Sequence, residues 1–258
     1  MSSPYKAVIF DIGGVCVGSP MQGIHKYEKK HAITLSVVNN ALPSVLLSVH
    51  QGENGAFQKL ERGEIKLHDF YAAFGEQLSD PRNKDVYRAY LKKQNRDVGD
   101  IPNVKVDGKE LFQAMMRETS VVDERIFYAI KQLKASGKFK VAALTNNFEY
   151  PDNDLAEVEA LGGKLPDELR LLFDEFVESR VVGLRKPDPK FYQHACKLIG
   201  VEPSEAIFLD DIGMNLRAAK HLGMSTIQVM MGNSLPAVEK LQQLVQLDLL
   251  STTPTPKL

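Results

Sequence analysis

Residues 206–215 read AIFLDDIGMN. Four apolar residues run into an adjacent pair of carboxylates, Asp210 and Asp211, and a helical pattern opens at Gly213. A short, continuously apolar run of this kind marks a parallel strand covered on both faces. Two Asp side by side at its end repel each other unless a cation holds them. Oxygen donors with little His or Cys nearby suit Mg²⁺. An Asp helix cap with an acidic neighbour accounts for the same string without a metal.

Four further runs share the strand signature, at 6–10, 138–144, 173–178 and 226–229. Helical patterns at 123–136, 189–199, 213–222 and 235–249 alternate with the later strands. The 189–199 helix has Asp188 as N-cap, Pro189 in its first turn and Gly200 as its stop. The last has Ser234 as cap and Pro236 just inside. Strand and helix in alternation predict an α/β fold, a doubly wound parallel sheet. Residues 19–120 differ. They carry helical patterns at 24–31, 36–50, 55–62, 67–78, 85–94 and 108–117 and almost no strand signal. The expected organisation is a core of 1–18 and 121–250, an inserted all-helical cap at 19–120, and a solvated tail at 251–258. The connection 148–172 holds two short helical stretches.

Composition narrows the class. Of 258 residues 43% are hydrophobic and 25% charged, and 32 Lys and Arg meet 33 Asp and Glu for a net charge of -1. No basic field is present to recruit nucleic acid or an anionic membrane surface. Two cysteines, Cys16 and Cys196, exclude a disulfide scaffold and a thiolate zinc site. No apolar run approaches the roughly 18 residues of a membrane span. The apolar stretch before Asp11 is too short for a signal peptide. The expectation is a cytoplasmic protein, monomer or homodimer. The C-terminal Pro-Lys-Leu is a poor match to the peroxisomal Ser-Lys-Leu address and leaves that location as the alternative.

Ligands of open α/β sheets bind at the carboxyl ends of the strands. The first strand ends Phe10-Asp11-Ile12-Gly13-Gly14, a carboxylate beside bare backbone whose N–H groups can approach a phosphate. The same DIGG string resembles the phosphate loop of sugar kinases and actin-like ATPases, and a Gly-closed turn explains it structurally. The second strand ends Leu144-Thr145-Asn146, a hydroxyl and an amide suited to an oxyanion. Lys186, in Arg185-Lys186-Pro187-Asp188-Pro189, supplies one fixed positive charge before a Pro-initiated helix.

In order and spacing, these four elements resemble the haloacid dehalogenase superfamily. The resemblance extends over nearly the whole chain, including the LTNN, KPDP and FLDD-x-G-x-N strings. The cap strings Gly52-Glu53-Asn54-Gly55 and Glu61-Arg62-Gly63-Glu64-Ile65 are similar to one branch. That branch contains the N-terminal phosphatase-like domain of soluble epoxide hydrolase and the related domain of multidomain acyl-CoA dehydrogenases.

The resemblance implies a Mg²⁺-dependent hydrolase of a small-molecule phosphate. Asp11 would be the nucleophile and form an aspartyl phosphate. Thr145 and Asn146 would hydrogen-bond the transferring phosphoryl oxygens, with the Gly14 backbone beside them. Lys186 would neutralise charge. Asp11, Asp210, Asp211 and the Gly13 carbonyl would hold Mg²⁺, and Asn215 would fix the loop of the Asp pair.

One departure stands out. Phosphatases of this superfamily usually carry a second Asp two residues after the first, as general acid and base. Here that position is Gly13. Such help is typically worth about 10²–10⁴-fold. Its loss shifts the expected substrate toward good leaving groups, or requires an acid from the cap, where His25, His31, Glu28 and Glu53 have the right chemistry. It also motivates a non-catalytic phosphate-binding or regulatory protein as the alternative. A haloacid dehalogenase, which works without metal, is disfavoured by the Asp210–Asp211 pair. Cys16 is expected to be a small buried thiol.

Overall fold

The computed structural model describes residues 3–32, 52–93, 95 and 103–250. The expected 36–50 helix and the 251–258 tail lie outside the described residues. Five parallel strands form one sheet: β1 (Ala7–Phe10), β2 (Lys140–Thr145), β3 (Glu175–Glu178), β4 (Ala206–Asp210) and β5 (Ser225–Gln228), in the order β3-β2-β1-β4-β5. Each strand falls within two residues of its expected bounds.

Side-chain alternation explains why β1 tolerates no polar residue. Val8 and Phe10 face one side, with Ile126, Ile130 and Leu133 of the Glu124–Ser136 helix and Val238 and Leu241 of the Leu235–Val245 helix. Ala7 and Ile9 face the other, with Phe191, Tyr192 and Ala195 of the Pro189–Ile199 helix and Leu216 of the Gly213–His221 helix. A strand covered on both faces must be apolar at every position.

Two local expectations change. The last helix ends at Val245 rather than Leu249, because Gln246 takes a left-handed conformation (φ 54°). Leu249 then folds back fully buried, its N–H donating to Gln242 Oε1. Ser234 stands at the N-cap position of that helix, but its side chain does not cap it. Its hydroxyl donates to Asp123 Oδ1 at 3.0 Å and accepts from Arg125. By contrast, Asp188 does cap, accepting from Lys190 N–H at 2.9 Å.

The chain divides into two compact units. The first is Met1–Ser19, Thr119–Asn146 and Lys164–Leu258, and contains the sheet. The second is Pro20–Glu118 with Asn147–Gly163. Its described helices include Pro20–His31, Ala56–Glu61, Leu67–Ser79, Asn83–Lys93 and Gly108–Arg117. Its core is aromatic, with Phe70, Phe74, Phe112 and Phe148 all buried. Helices 67–79 and 108–117 cross backbone to backbone: a Cβ on Gly108 would lie 2.2 Å from the Tyr71 carbonyl.

Segment 147–163 joins this unit through Glu157. Burial opposes ionisation of that carboxyl, but hydrogen bonds from Lys109, Tyr71 and Gln113 outweigh it and hold its pKa below the ordinary value. Tyr71 donates at 2.5 Å, Gln113 at 2.9 Å and Lys109 at 2.7 Å. No helix among the described residues is long and apolar enough to cross a membrane.

Candidate active site

Sheet order places the site. The chain runs from β1 outward to β2 and β3, then returns to β4 and β5 on the other side of β1. The crevice between β1 and β4 is therefore the topological switch point, where ligands of open sheets bind. Pairing of Phe10 with Leu209 sets Asp11 level with Asp210 on the neighbouring strand. The Asp11 N–H donates to the Leu209 carbonyl at 2.9 Å.

Four charged groups converge there. Asp11 is 6% exposed, Asp210 0% and Lys186 1%. Lys186 Nζ lies 2.8 Å from both Asp11 Oδ1 and Asp210 Oδ2. Asp11, Asp210 and Asp211 present carboxylate oxygens within 4.8 Å of one another. Asp210 is held by Asn215, whose Nδ2 lies 3.1 Å from both of its oxygens, and by the Ile212 N–H at 2.8 Å. Tyr192 donates in turn to the Asn215 carbonyl at 3.0 Å.

One lysine cannot neutralise three carboxylates. Burial, then repulsion from Asp210, pushes the Asp211 carboxyl up to about 7. Burial also raises Asp11 well above the carboxylate range, with Lys186 pulling it down and Asp210 and Asp211 raising it further. Burial works against the Lys186 charge, yet Asp11 and Asp210 outweigh it and raise its pKa. Asp211 Oδ1 is buried with no hydrogen-bond partner. An orphaned carboxylate oxygen in an acidic cluster is what a hard divalent cation satisfies, so the donor set fits Mg²⁺.

The expected residues gather as follows. Asp11, Lys186, Asp210 and Asp211 meet in one cluster. Thr145 ends β2 and is buried, and its hydroxyl makes only a marginal 3.5 Å contact with the Asn146 carbonyl. The Asn146 side chain is engaged with the backbone of Lys186: Nδ2 donates to its carbonyl at 3.0 Å, and Oδ1 accepts from its N–H at 2.8 Å.

Gly14 departs from its expected role. Its N–H donates to the Val17 carbonyl at 2.9 Å, so it is committed within the loop and not offered to a phosphate. What requires glycine there is space. Its φ is +79°, and a Cβ would lie 2.2 Å from Asp211 Oδ2. Gly13 is not among the glycines with positive φ, so its backbone does not demand glycine.

The cap residues considered as replacement acids have partners of their own. His25 meets Glu28 at 3.4 Å, His31 meets Glu110 at 3.0 Å, and Glu53 pairs with Arg62 at 3.0 Å. Three supporting groups escaped the sequence reading. Ser19 donates to Asp211 Oδ2 at 3.4 Å, Tyr192 steadies Asn215, and the Phe208 ring lies 5.5 Å from Lys186 Nζ. Cys16 is buried, its thiol donating to the Asp11 carbonyl at 3.2 Å. A Tyr on an otherwise apolar helix face was the available signal, because a buried hydroxyl needs a partner.

A family model described as haloacid dehalogenase-like hydrolase matches residues 5–223. The chain is 31% identical over 226 residues to acyl-CoA dehydrogenase family member 10 of Mus musculus, covering 87% of this chain and 18% of that protein. It is 28% identical over 252 residues to bifunctional epoxide hydrolase 2 of Sus scrofa, covering 97% and 40%. It thus spans less than half the length of both. It is 26% identical over 247 residues to a sesquiterpene phosphatase of Aspergillus oryzae, covering 95% and 99%. Among solved structures it is similar in fold to the magnesium complex of a HAD family enzyme from Bacteroides thetaiotaomicron. That match has a TM-score of 0.52 at 18% identity, covering 89% of this chain and 96% of the other.

Proposed function

The chain belongs to the haloacid dehalogenase-like hydrolase family, and from that premise we propose that it is a Mg²⁺-dependent phosphatase of small phosphorylated metabolites. The observation that carries this reading is the under-neutralised cluster: buried Asp11 and Asp210 share Lys186, and half-buried Asp211 beside them has its Oδ1 orphaned. The sesquiterpene phosphatase relative and the magnesium-bound fold neighbour support it.

Asp11, Asp210, Asp211 and the Gly13 carbonyl would hold the metal. When bound, Mg²⁺ supplies positive charge that lets an anionic phosphate approach an anionic nucleophile. Both donors to Asp11, the Ile12 N–H at 2.7 Å and Lys186 Nζ at 2.8 Å, fall on Oδ1. Oδ2 is therefore the oxygen that attacks phosphorus. The new bond is Asp11 Oδ2 to phosphorus, and the bond broken is phosphorus to the leaving oxygen, which departs with the electron pair. Water then cleaves the acyl phosphate, releasing inorganic phosphate and restoring the carboxylate. Lys186 balances charge on Asp11 and the phosphoryl group, and the Thr145 hydroxyl donates to a phosphoryl oxygen.

Gly13 offers no proton to the leaving group. Aryl, anomeric and acyl phosphates, whose leaving groups depart unprotonated, fit this site better than simple alkyl phosphates. The helical unit, inserted after β1, is the proposed specificity element.

Gly13 also favours a second reading, a phosphate-binding protein that forms no phosphoenzyme. Hydrolysis of p-nitrophenyl phosphate and acetyl phosphate, with and without Mg²⁺, separates the two. Metal-dependent release, with a hydroxylamine-labile adduct on Asp11, is expected. Silence on both substrates from folded protein that still binds phosphate would establish the second reading instead.

A further inference from the structure

Asn146 follows Thr145 at the end of β2, where a neutral amide is expected to hydrogen-bond a phosphoryl oxygen. Its amide is employed otherwise. Nδ2 donates to the Lys186 carbonyl at 3.0 Å and Oδ1 accepts the Lys186 N–H at 2.8 Å. One side chain thus grips both peptide groups flanking a single Cα, across 40 residues of sequence. This is the two-bond exchange that a residue pair makes in an antiparallel sheet, here supplied by a side chain.

The consequence runs through Lys186. That side chain has four rotatable bonds and about 2 kcal/mol of rotamer entropy. Its ammonium must nevertheless reach Asp11 and Asp210 together, at 2.8 Å each. A fixed root is what makes a long side chain a precise one. We infer that Asn146 is a positioning residue: it acts on phosphoryl transfer by holding the Lys186 backbone, and not by direct contact with the phosphoryl group. Thr145, whose hydroxyl has only a marginal 3.5 Å contact, is the donor of this strand end that reaches the substrate. The amide is also chemically specified. An Asp at this position would keep an acceptor for the Lys186 N–H but set a second oxygen against the Lys186 carbonyl.

This inference rests on the phosphatase reading of Lys186, and its test keeps the two separable. The experiment is a double-mutant cycle over wild type, Asn146→Ala, Lys186→Ala and the pair. It is read as kcat and KM for p-nitrophenyl phosphate, as calorimetric affinity for inorganic phosphate with Mg²⁺, and as the Lys186 backbone amide resonance. Asn146→Ala is expected to lower kcat by up to about 10²-fold, the order expected for a misplaced catalytic group, with KM nearly unchanged. It should also shift the Lys186 amide resonance. In the Lys186→Ala background it should cost less than about 2-fold further, in kcat and in phosphate affinity, since residues acting through one another do not add.

Equal costs in both backgrounds would make Asn146 a direct ligand and overturn the inference. Should Asn146→Ala fail to fold by its melting curve, Asn146→Asp carries the same cycle with the same two outcomes. If no variant turns over substrate, the phosphatase reading fails alone. Non-additivity in phosphate affinity then still supports the clamp, and additivity still overturns it.

Discussion

Two carboxylate sites, one in each unit, are built on opposite principles. At the sheet, Asp11, Asp210 and Asp211 share a single Lys186, and one oxygen is left without any donor. In the helical unit, Glu157 stands alone and takes three donors, from Tyr71, Gln113 and Lys109. Its own N–H is capped by Asp154 at 3.0 Å. The second arrangement is complete and serves architecture. The first is short of positive charge, as the proposed metal site requires.

The comparison breaks most directly at Asp11. Asp11→Asn removes the proposed nucleophile together with one of three repelling charges. Turnover of p-nitrophenyl phosphate should fall to the no-enzyme rate, while the melting temperature of the metal-free protein should not fall. A variant that keeps wild-type activity would sink the covalent mechanism.

Lys186→Met takes away the only cation of the sheet cluster and should cost about 3–5 kcal/mol in urea unfolding, as loss of one partner of a buried pair does. Added Mg²⁺ should restore part of that loss. Glu157→Gln keeps the shape of the other cluster but loses its charge. The expected cost is smaller, roughly 1–3 kcal/mol, without change in Mg²⁺ affinity measured by calorimetry.

The smallest effect is a pair of opposite pH slopes. The Asp211 carboxyl has its pKa raised from 3.8 to about 7, chiefly by burial. The folded metal-free protein then binds the proton more tightly than the unfolded chain, so this group makes stability fall as pH rises from about 4 to 7. Saturating Mg²⁺ should flatten the slope. Glu157 is held below its ordinary 4.5, so its contribution is present above that value and is lost as pH falls through its folded pKa. Denaturation midpoints against pH, for wild type and for Asp211→Asn and Glu157→Gln, resolve the two. The same slope in both variants would show that neither cluster has been identified correctly.

The legible part of this molecule is the part written along one dimension. The three central strands announce themselves as apolar runs, and each stops at or beside a residue of the candidate site: Asp11, Thr145, Asp210. A polar side chain ending a fully buried parallel strand stands at the carboxyl end of the sheet, so its place follows from sequence. What is not legible is which group a side chain touches. The amide of Asn146 has the right type for an oxyanion, yet its partner is a peptide backbone brought in by the loop at 186. Gly14 carried the right signal for a different reason, room for the Asp211 carboxylate rather than an amide for phosphate. Segment 147–163 lies between β2 and β3 in the chain, within the span expected to belong to the α/β core. Phe148, Leu161 and Glu157 group it with the helices, through contacts that no periodicity encodes.

That grouping has a practical consequence for anyone recombining these proteins. The chain changes unit four times, after 19, 118, 146 and 163, so the helical unit is a two-piece part. A chimera that exchanges 20–118 alone would carry the recipient's 147–163 against foreign helices. Glu157 would then lose Tyr71, Lys109 and Gln113 at once, and Phe148 would lose its seat against Phe112. Moving the helical unit intact between relatives therefore means transplanting both pieces together.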